Sequence, residues 1–299
     1  MVLSENKSIV FVTLVRTGEQ RARAGLLVKS LRAFGGEMGQ CPIWLFAADP
    51  HRTPCQELED MGVRVLPLNV PETVGGYLFA KKVYACARAE ELAGAEVRSL
   101  VWLSPDCLIV QPPRLFDLSL SWDAAVRPVH IQNIGLLEAQ PVDDFWKKIY
   151  ETAGVADILT TIETFVDRQR IRAYFNSHAL AANPARGLFR RWFECFESLA
   201  CDQAFQAGAC QDEIHQIFLH QSILSALIVT VLAPDRIRML PPTYNYPYNL
   251  HESVPVERRA TTLNELVNVV YEDRSLNPNM VDDIHIHEPL KSWLLTHAG

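Results

Sequence analysis

No uninterrupted run in the 299 residues approaches the ~18 apolar positions that a membrane-spanning helix needs, so no membrane span is expected. The opening MVLSENKSIVFVTLV lacks the charged start and small-residue cleavage site of a secretory leader, and a strand-like VFVTLV follows at once, which points to a cytoplasmic protein. Basic residues are in deficit: 28 Lys and Arg against 35 Asp and Glu leave a net charge of -7, which argues against a nucleic-acid partner. The seven cysteines, Cys41, Cys55, Cys86, Cys107, Cys195, Cys201 and Cys210, are odd in number and scattered without a C-x-x-C pair. Neither a disulfide framework nor a zinc site is indicated, and most are expected to be small core residues. Cys107, beside Asp106, is the one with a chemical alternative, as a nucleophile or soft metal ligand, yet no base or second thiol stands near it in sequence.

What the sequence has is material for a large core: 48% of residues are hydrophobic and only 21% charged. Because α/β folds often run to about 250 residues or more as one unit, a single large domain is expected. Strand and helix patterns alternate through its first third. Residues 8–15 (SIVFVTLV) read as a strand and 19–34 as a helix closed by Gly35-Gly36. A second strand covers 42–46, a helix about 53–61, a third strand 62–66, and a long helix opens at Tyr77 and reaches about Ala93. Such alternation predicts a mostly parallel sheet with helices on both faces.

The chain is organised around residues 97–113, VRSLVWLSPDCLIVQPP. An apolar run suited to a strand buried on both faces stops at Pro105, and a second run, Leu108-Ile109-Val110, follows before Pro112-Pro113. Asp106 should therefore lie at or just past the C-terminal end of a central strand, where ligands bind in open α/β sheets. Further on, 122–129 read as a strand leading to the polar loop at His130 and Asn133. Residues 142–167 read as helical, Pro184 starts a helix with an apolar stripe through Leu188, Trp192, Phe193 and Phe196, and 212–227 form a helix with Asp212 near its start.

The stretch through Ser104-x-Asp106 resembles the Asp-x-Asp motif of glycosyltransferases with the nucleotide-diphosphosugar-transferase (GT-A) fold, the glycogenin and bacterial galactosyltransferase group of family 8. Three further stretches resemble that group in order: AYFNSHALAAN (173–183) is similar to Tyr-Phe-Asn-x-Gly, LPPTYNYPYN (240–249) to Leu-Pro-x-x-Tyr-Asn, and IHIHEPLKSW (284–293) to a strand ending in His followed by Lys-Pro-Trp. The resemblance implies a single-domain α/β, Rossmann-like sandwich with a nucleotide-binding part over about 1–115 and a sugar and acceptor part over about 116–299. It implies transfer of a sugar from a nucleotide-diphosphate sugar, with retention of configuration and a divalent cation, Mn2+ or else Mg2+. The acceptor and the oligomeric state are left open.

Residue by residue, the resemblance gives Asp106 and His285 to the metal, with Thr13 and Ser104 beside the nucleotide. Lys82, Arg88 and Lys291 are its candidates for the donor phosphates, and Asn176, His220 and Gln221 for the reacting sugar. A diphosphate leaving group accumulates negative charge, so a cation held by carboxylate and imidazole, with a nearby ammonium, suits that chemistry. Three departures stand out: Ser104 replaces the first motif Asp, His178 the Gly, and Ser292 the Pro of Lys-Pro-Trp. They keep a second reading open, a glycosyltransferase-like protein that has lost catalysis and serves as a binding or regulatory module. On residues alone, Ile284-His285-Ile286-His287 also fits a half-exposed edge strand.

Overall fold

A computed structural model describes residues 8–49, 55–281 and 283–298. In chain order its strands are β1 (Ile9–Val15), β2 (Ile43–Ala47), β3 (Val63–Pro67), β4 (Ser99–Leu103), β5 (Cys107–Ile109), β6 (Ala124–Val126), β7 (Thr161–Glu163), β8 (Arg170–Arg172), β9 (Ala179–Ala182), β10 (Ile237–Met239), β11 (Tyr246–Pro247) and β12 (Asn268–Val270). The α-helices are α1 (Gly18–Phe34), α2 (Gln56–Asp60), α3 (Ala80–Leu92), α4 (Asp144–Ala153), α5 (Leu188–Ala200), α6 (Gln203–Ala207), α7 (Glu213–Val231) and α8 (Leu290–His297).

The main sheet runs β10-β6-β9-β4-β1-β2-β3, parallel except for β9, which is antiparallel to both of its neighbours. Alternation along β1 explains the two-sided core. Val10, Val12 and Leu14 face a cluster with Val83, Cys86 and Trp102, whereas Ile9, Phe11 and Val15 face α1 through Leu27 and Leu31. A third cluster, with Leu108, Tyr246, Val269, Ile284 and Leu294, lies with a small sheet of order β11-β12-β5.

The reversed β9 matters for function. Leu103, the last residue of β4, pairs with Ala179, the first of β9, so the residues after one strand and before the other meet at a single sheet edge. Ser104 N–H donates to the His178 carbonyl there at 2.8 Å. On the other side β5 pairs antiparallel with β12, Cys107 opposite Val270, and Tyr271 N–H donates to the Asp106 carbonyl at 3.1 Å. Three chain segments distant in sequence are thus fixed around Asp106 by backbone bonds.

Some elements differ from expectation. The helix expected over 142–167 is only α4, because Gly154 caps it in the left-handed region at φ 86°, and Thr161–Glu163 turn instead into a hairpin with β8. The long helix starts at Ala80 rather than Tyr77, since Phe79 sits at φ 63°. Of the helix expected over about 53–61, residues 53 and 54 lie outside the described residues and Gln56–Asp60 are helical. Among the described residues α7 alone is long and apolar enough to cross a membrane by length and composition. Its apolar stretch is 56% buried inside the protein, where the helix packs on α4 and α5.

Candidate functional site

The carboxylate of Asp106, the imidazole of His178 and the carboxylate of Glu272 offer ligand atoms that all lie within 4.8 Å of one another. Each comes from a segment placed by the sheet edge: Asp106 from the turn after β4, His178 from the approach to β9, Glu272 from just beyond β12. Asp106 Oδ1 is buried with no hydrogen-bond partner among the described residues. A carboxylate oxygen shut off from water and left unpaired is costly, which makes it a ready ligand atom.

The tautomer of His178 follows from its neighbours. Asn176 Oδ1 accepts from the His178 backbone N–H at 2.7 Å, which fixes that atom as oxygen, and it lies 3.0 Å from His178 Nδ1. Nδ1 therefore carries the proton, and in the neutral ring Nε2 is left with a lone pair that faces Glu272 Oε1 at 3.4 Å. Two acceptors do not rest against each other without positive charge between or on them. The donor set, two carboxylates and an imidazole oriented through its second nitrogen, fits a divalent cation. Glu272 is itself held, accepting from Asn249 Nδ2 at 2.8 Å, with its backbone in the left-handed region at φ 48°.

Beside this cluster a cleft of about 110 Å³ is lined by Leu14, Arg16, Phe79, Lys82, Trp102 and Ser104, among others. Lys82 Nζ donates to Ser177 Oγ at 2.8 Å, and Ser177 in turn donates to Gln221 Oε1 at 3.0 Å. His220 Nε2 lies 3.1 Å from Ser177 Oγ and 3.5 Å from Lys82 Nζ, while its Nδ1 faces the Ile217 carbonyl at 2.9 Å. Burial depresses the His220 pKa well below the ordinary histidine value, reinforced by the charge of Lys82. Its ring is therefore neutral and accepts through Nε2. Burial also pulls Lys82 down to about 8, partly opposed by Cys86 and Asp106. The ammonium lies over the Trp102 and Phe79 rings at 5.7 and 5.9 Å, and Phe79 stacks on His220 with centroids 4.2 Å apart.

A second cavity, of about 220 Å³, is lined by His130, Asn133, Asn176, Asn249 and Glu272 among others, and shares His178, Phe218 and Gln221 with the cleft. His178 therefore stands between the two. His130 is buried with neither ring nitrogen partnered, and burial holds it neutral, far below the ordinary value.

The residues singled out from sequence divide accordingly. Ser104, Lys82, His220 and Gln221 come together at the cleft, Asp106 lies beside it in the cluster with His178, and Asn176 adjoins them as the residue that orients His178. Thr13 does not line the cleft: strand alternation turns it away, and its neighbour Leu14 takes that wall. Arg88 pairs with Glu91 at the surface, being about 240° around the helix from Lys82 on a six-residue spacing. Cys107 is fully buried, and burial with the charge of Asp106 pushes its thiol well above the ordinary value, which removes the thiolate a nucleophile or soft ligand needs.

His285 and Lys291 lie apart from this cluster and cleft. His285 is exposed and bridges Thr262 through its backbone, because the alternation turns Ile284 and Ile286 inward to the third cluster. Lys291 is exposed on α8 and is not among the residues that line the cleft. The segment that returns beside Asp106 is β12, so Glu272 occupies the place given to His285. The signal for Glu272 was in the sequence: Val267-Asn268-Val269-Val270-Tyr271 is a mostly apolar run ending in an acid, the same feature that marked Asp106. Ser177, Phe79 and Trp102 gave no comparable signal.

Comparison with known proteins agrees with this architecture. A structure of the galactosyltransferase LgtC in complex with donor and acceptor sugar analogs shares the fold with a TM-score of 0.52 at 16% identity, over 95% of this chain and 91% of that one. The glycosyltransferase GlyE of Streptococcus pneumoniae TIGR4 gives 0.50 at 15% identity, over 98% of this chain and 60% of its own. The bifunctional glycosyltransferase WbbM gives 0.53 at 10%, over 99% and 53%. At these identities the likeness establishes the GT-A fold. No curated protein sequence matches. The model of the Rhodobacterales glycosyltransferase domain matches residues 10–230, and the chain belongs to that family of glycosyltransferases.

Proposed function

We propose that this protein transfers a sugar from a nucleotide-diphosphate sugar to an acceptor, with retention of configuration. Asp106, His178 and Glu272 hold a divalent cation, Mn2+ in preference to Mg2+ because one ligand is an imidazole nitrogen. What supports this reading above all is the convergence of those three side chains beside a cleft, lined by His178, that contains an ammonium with no carboxylate partner among the described residues. A bound divalent cation offsets the charge that develops on the diphosphate as the glycosidic bond breaks. Lys82 adds a fixed positive charge from inside the cleft, held in place by Ser177 and by the His220 acceptor. Asn176 keeps the His178 proton on Nδ1, and Gln221, fixed by Ser177, lies where the cleft and the larger cavity meet. The larger cavity takes the acceptor, with the neutral His130 ring on its wall. A cytoplasmic location and a single-domain organisation belong to the same proposal.

The alternative of a lapsed, binding-only protein rests on Ser104, which brings a hydroxyl where the motif has a carboxylate. Calorimetric titration with Mn2+, followed by uridine and guanosine diphosphates, tests the metal site directly. Asp106→Asn and Glu272→Gln should each weaken Mn2+ binding by about tenfold or more, since each removes one formal charge from the ligand set. Unaltered Mn2+ affinity in both variants sinks the metal assignment, while intact nucleotide binding without sugar turnover in the wild type favours the lapsed reading.

A further inference from the structure

Arg127 follows β6 at the same sheet edge as Asp106 but belongs to a different cavity, of about 530 Å³, walled by Arg127, Glu163, Phe165, Pro242, Glu257 and Arg258. The residue is buried, 6% of it remaining exposed, and its Nε and Nη2 have no hydrogen-bond partner among the described residues. The guanidinium instead lies over the Phe165 ring, 4.7 Å from the centroid. The two carboxylates of the cavity are engaged elsewhere: Glu163 by Arg258, and Glu257 by Arg168 at 3.1 Å. The charge that acts on Arg127 is therefore of its own sign, Arg258, and with burial it pulls the guanidinium down to about 10. At neutral pH the group still carries a full charge, with no counter-ion among the described residues.

A buried, unpaired cation is strongly unfavourable, and it is tolerated where a ligand supplies the missing charge. We propose that this cavity binds an oxyanion, a carboxylate or a phosphate on a small molecule or sugar, with Arg127 as its charge partner and Phe165 fixing the plane of the guanidinium. With the two ion pairs neutral, the surplus is a single positive charge, which a carboxylate matches most closely. The guanidinium suits the role because it stays ionised and presents planar donors to an oxyanion. Nothing in this assignment depends on donor nucleotide or metal, so it stands or falls apart from the transfer reaction.

The test uses the full chain without nucleotide or Mn2+. Sodium glucuronate, inorganic phosphate and, as the uncharged control, glucose are titrated by calorimetry and by thermal unfolding into wild type and Arg127→Met. Saturable binding of glucuronate or phosphate is expected in the wild type, with no effect of glucose, and the affinity should fall at least about tenfold in Arg127→Met as a charge-assisted bond is lost. Tighter binding of glucuronate identifies a carboxylate ligand, and tighter binding of phosphate a phosphate ester. Arg127→Met should unfold at or above the wild-type temperature, because it loses an unpaired buried charge. Should that variant fail to fold, a crystal structure of the wild type with the tighter-binding anion decides the matter by its density at Arg127. Absence of anion binding, binding that survives in Arg127→Met, or density elsewhere overturns the proposal.

Discussion

Replacing Lys82 by methionine should make the protein more stable at pH 7 and less able to bind a nucleoside diphosphate. The ammonium is buried among Phe79, Trp102, Ser177 and His220, with neutral hydrogen-bond partners only. Burial takes its pKa from 10.5 to about 8. At 1.36 kcal/mol per decade, keeping it charged in the folded protein costs about 3 kcal/mol relative to the unfolded chain. The folded value is the lower one, so between about 8 and 10.5 the unfolded chain binds a proton that the folded protein has released. Wild-type stability therefore rises with pH across that window, and the cost is present in full below it. Urea unfolding should find Lys82→Met more stable than wild type by up to about 3 kcal/mol at pH 7, with the gap closing toward pH 10.5. Diphosphate affinity should run the other way in the wild type, falling as pH rises above about 8 and the ammonium is lost. A variant that is less stable than wild type at pH 7, with a gap that does not narrow by pH 10, or one that binds diphosphate as well as wild type, refutes this account of Lys82.

Two further substitutions separate the observed site from the one expected on sequence. His178→Ala should weaken Mn2+ binding by about tenfold and open the cleft into the larger cavity, so that a bulkier acceptor is accepted; unchanged Mn2+ affinity by calorimetry would contradict the assignment. His285→Ala should leave Mn2+ affinity within about twofold of wild type, because an exposed ring on the outer side of its segment has no part in the cluster, and a tenfold loss would restore His285 as a ligand.

The parallel half of the fold was readable because its strands are buried on both faces. Continuous apolar runs at 9–15, 43–47 and 99–103, separated by helical spacing, leave little choice of architecture. The same logic located Asp106, since a strand buried on both sides has to deliver its first polar residue to the edge. Beyond Val126 the strands shrink to four residues or fewer, and their pairing depends on partners far away in sequence, which local patterns do not encode. The separation of His285 from the cluster at Asp106 follows from that. Ile284-His285-Ile286-His287 matches a ligand strand by spacing, but which residues of an alternating strand face the site is decided by the core that receives the other face. Here the third cluster takes the isoleucines. Glu272 reaches Asp106 only through the pairing of β12 with β5, a contact made across more than 150 residues.

The loss of the first motif carboxylate bears differently on function once Glu272 is counted. An Asp-x-Asp site draws both of its negative charges from one strand end, and Ser104 would leave half of that charge. In this chain Glu272 brings a second carboxylate from the neighbouring strand, and His178, at the position where the resembling enzymes have glycine, brings the imidazole. Two acids and one histidine are thus present, supplied by three segments in place of a motif and a distant histidine. The physical requirement for holding a divalent cation is the local set of donors and their charge, and it does not matter which strand delivers them. Each departure also explains another. A histidine before β9 that is to share a cation with a carboxylate needs a partner that keeps its proton on Nδ1, and Asn176 and Glu272 fill those two places. A site decaying after loss of catalysis would be expected to lose such matched partners independently. Their mutual fit, with Glu272 held by Asn249 and bent into a left-handed conformation to face His178, favours a rebuilt metal centre over a relic.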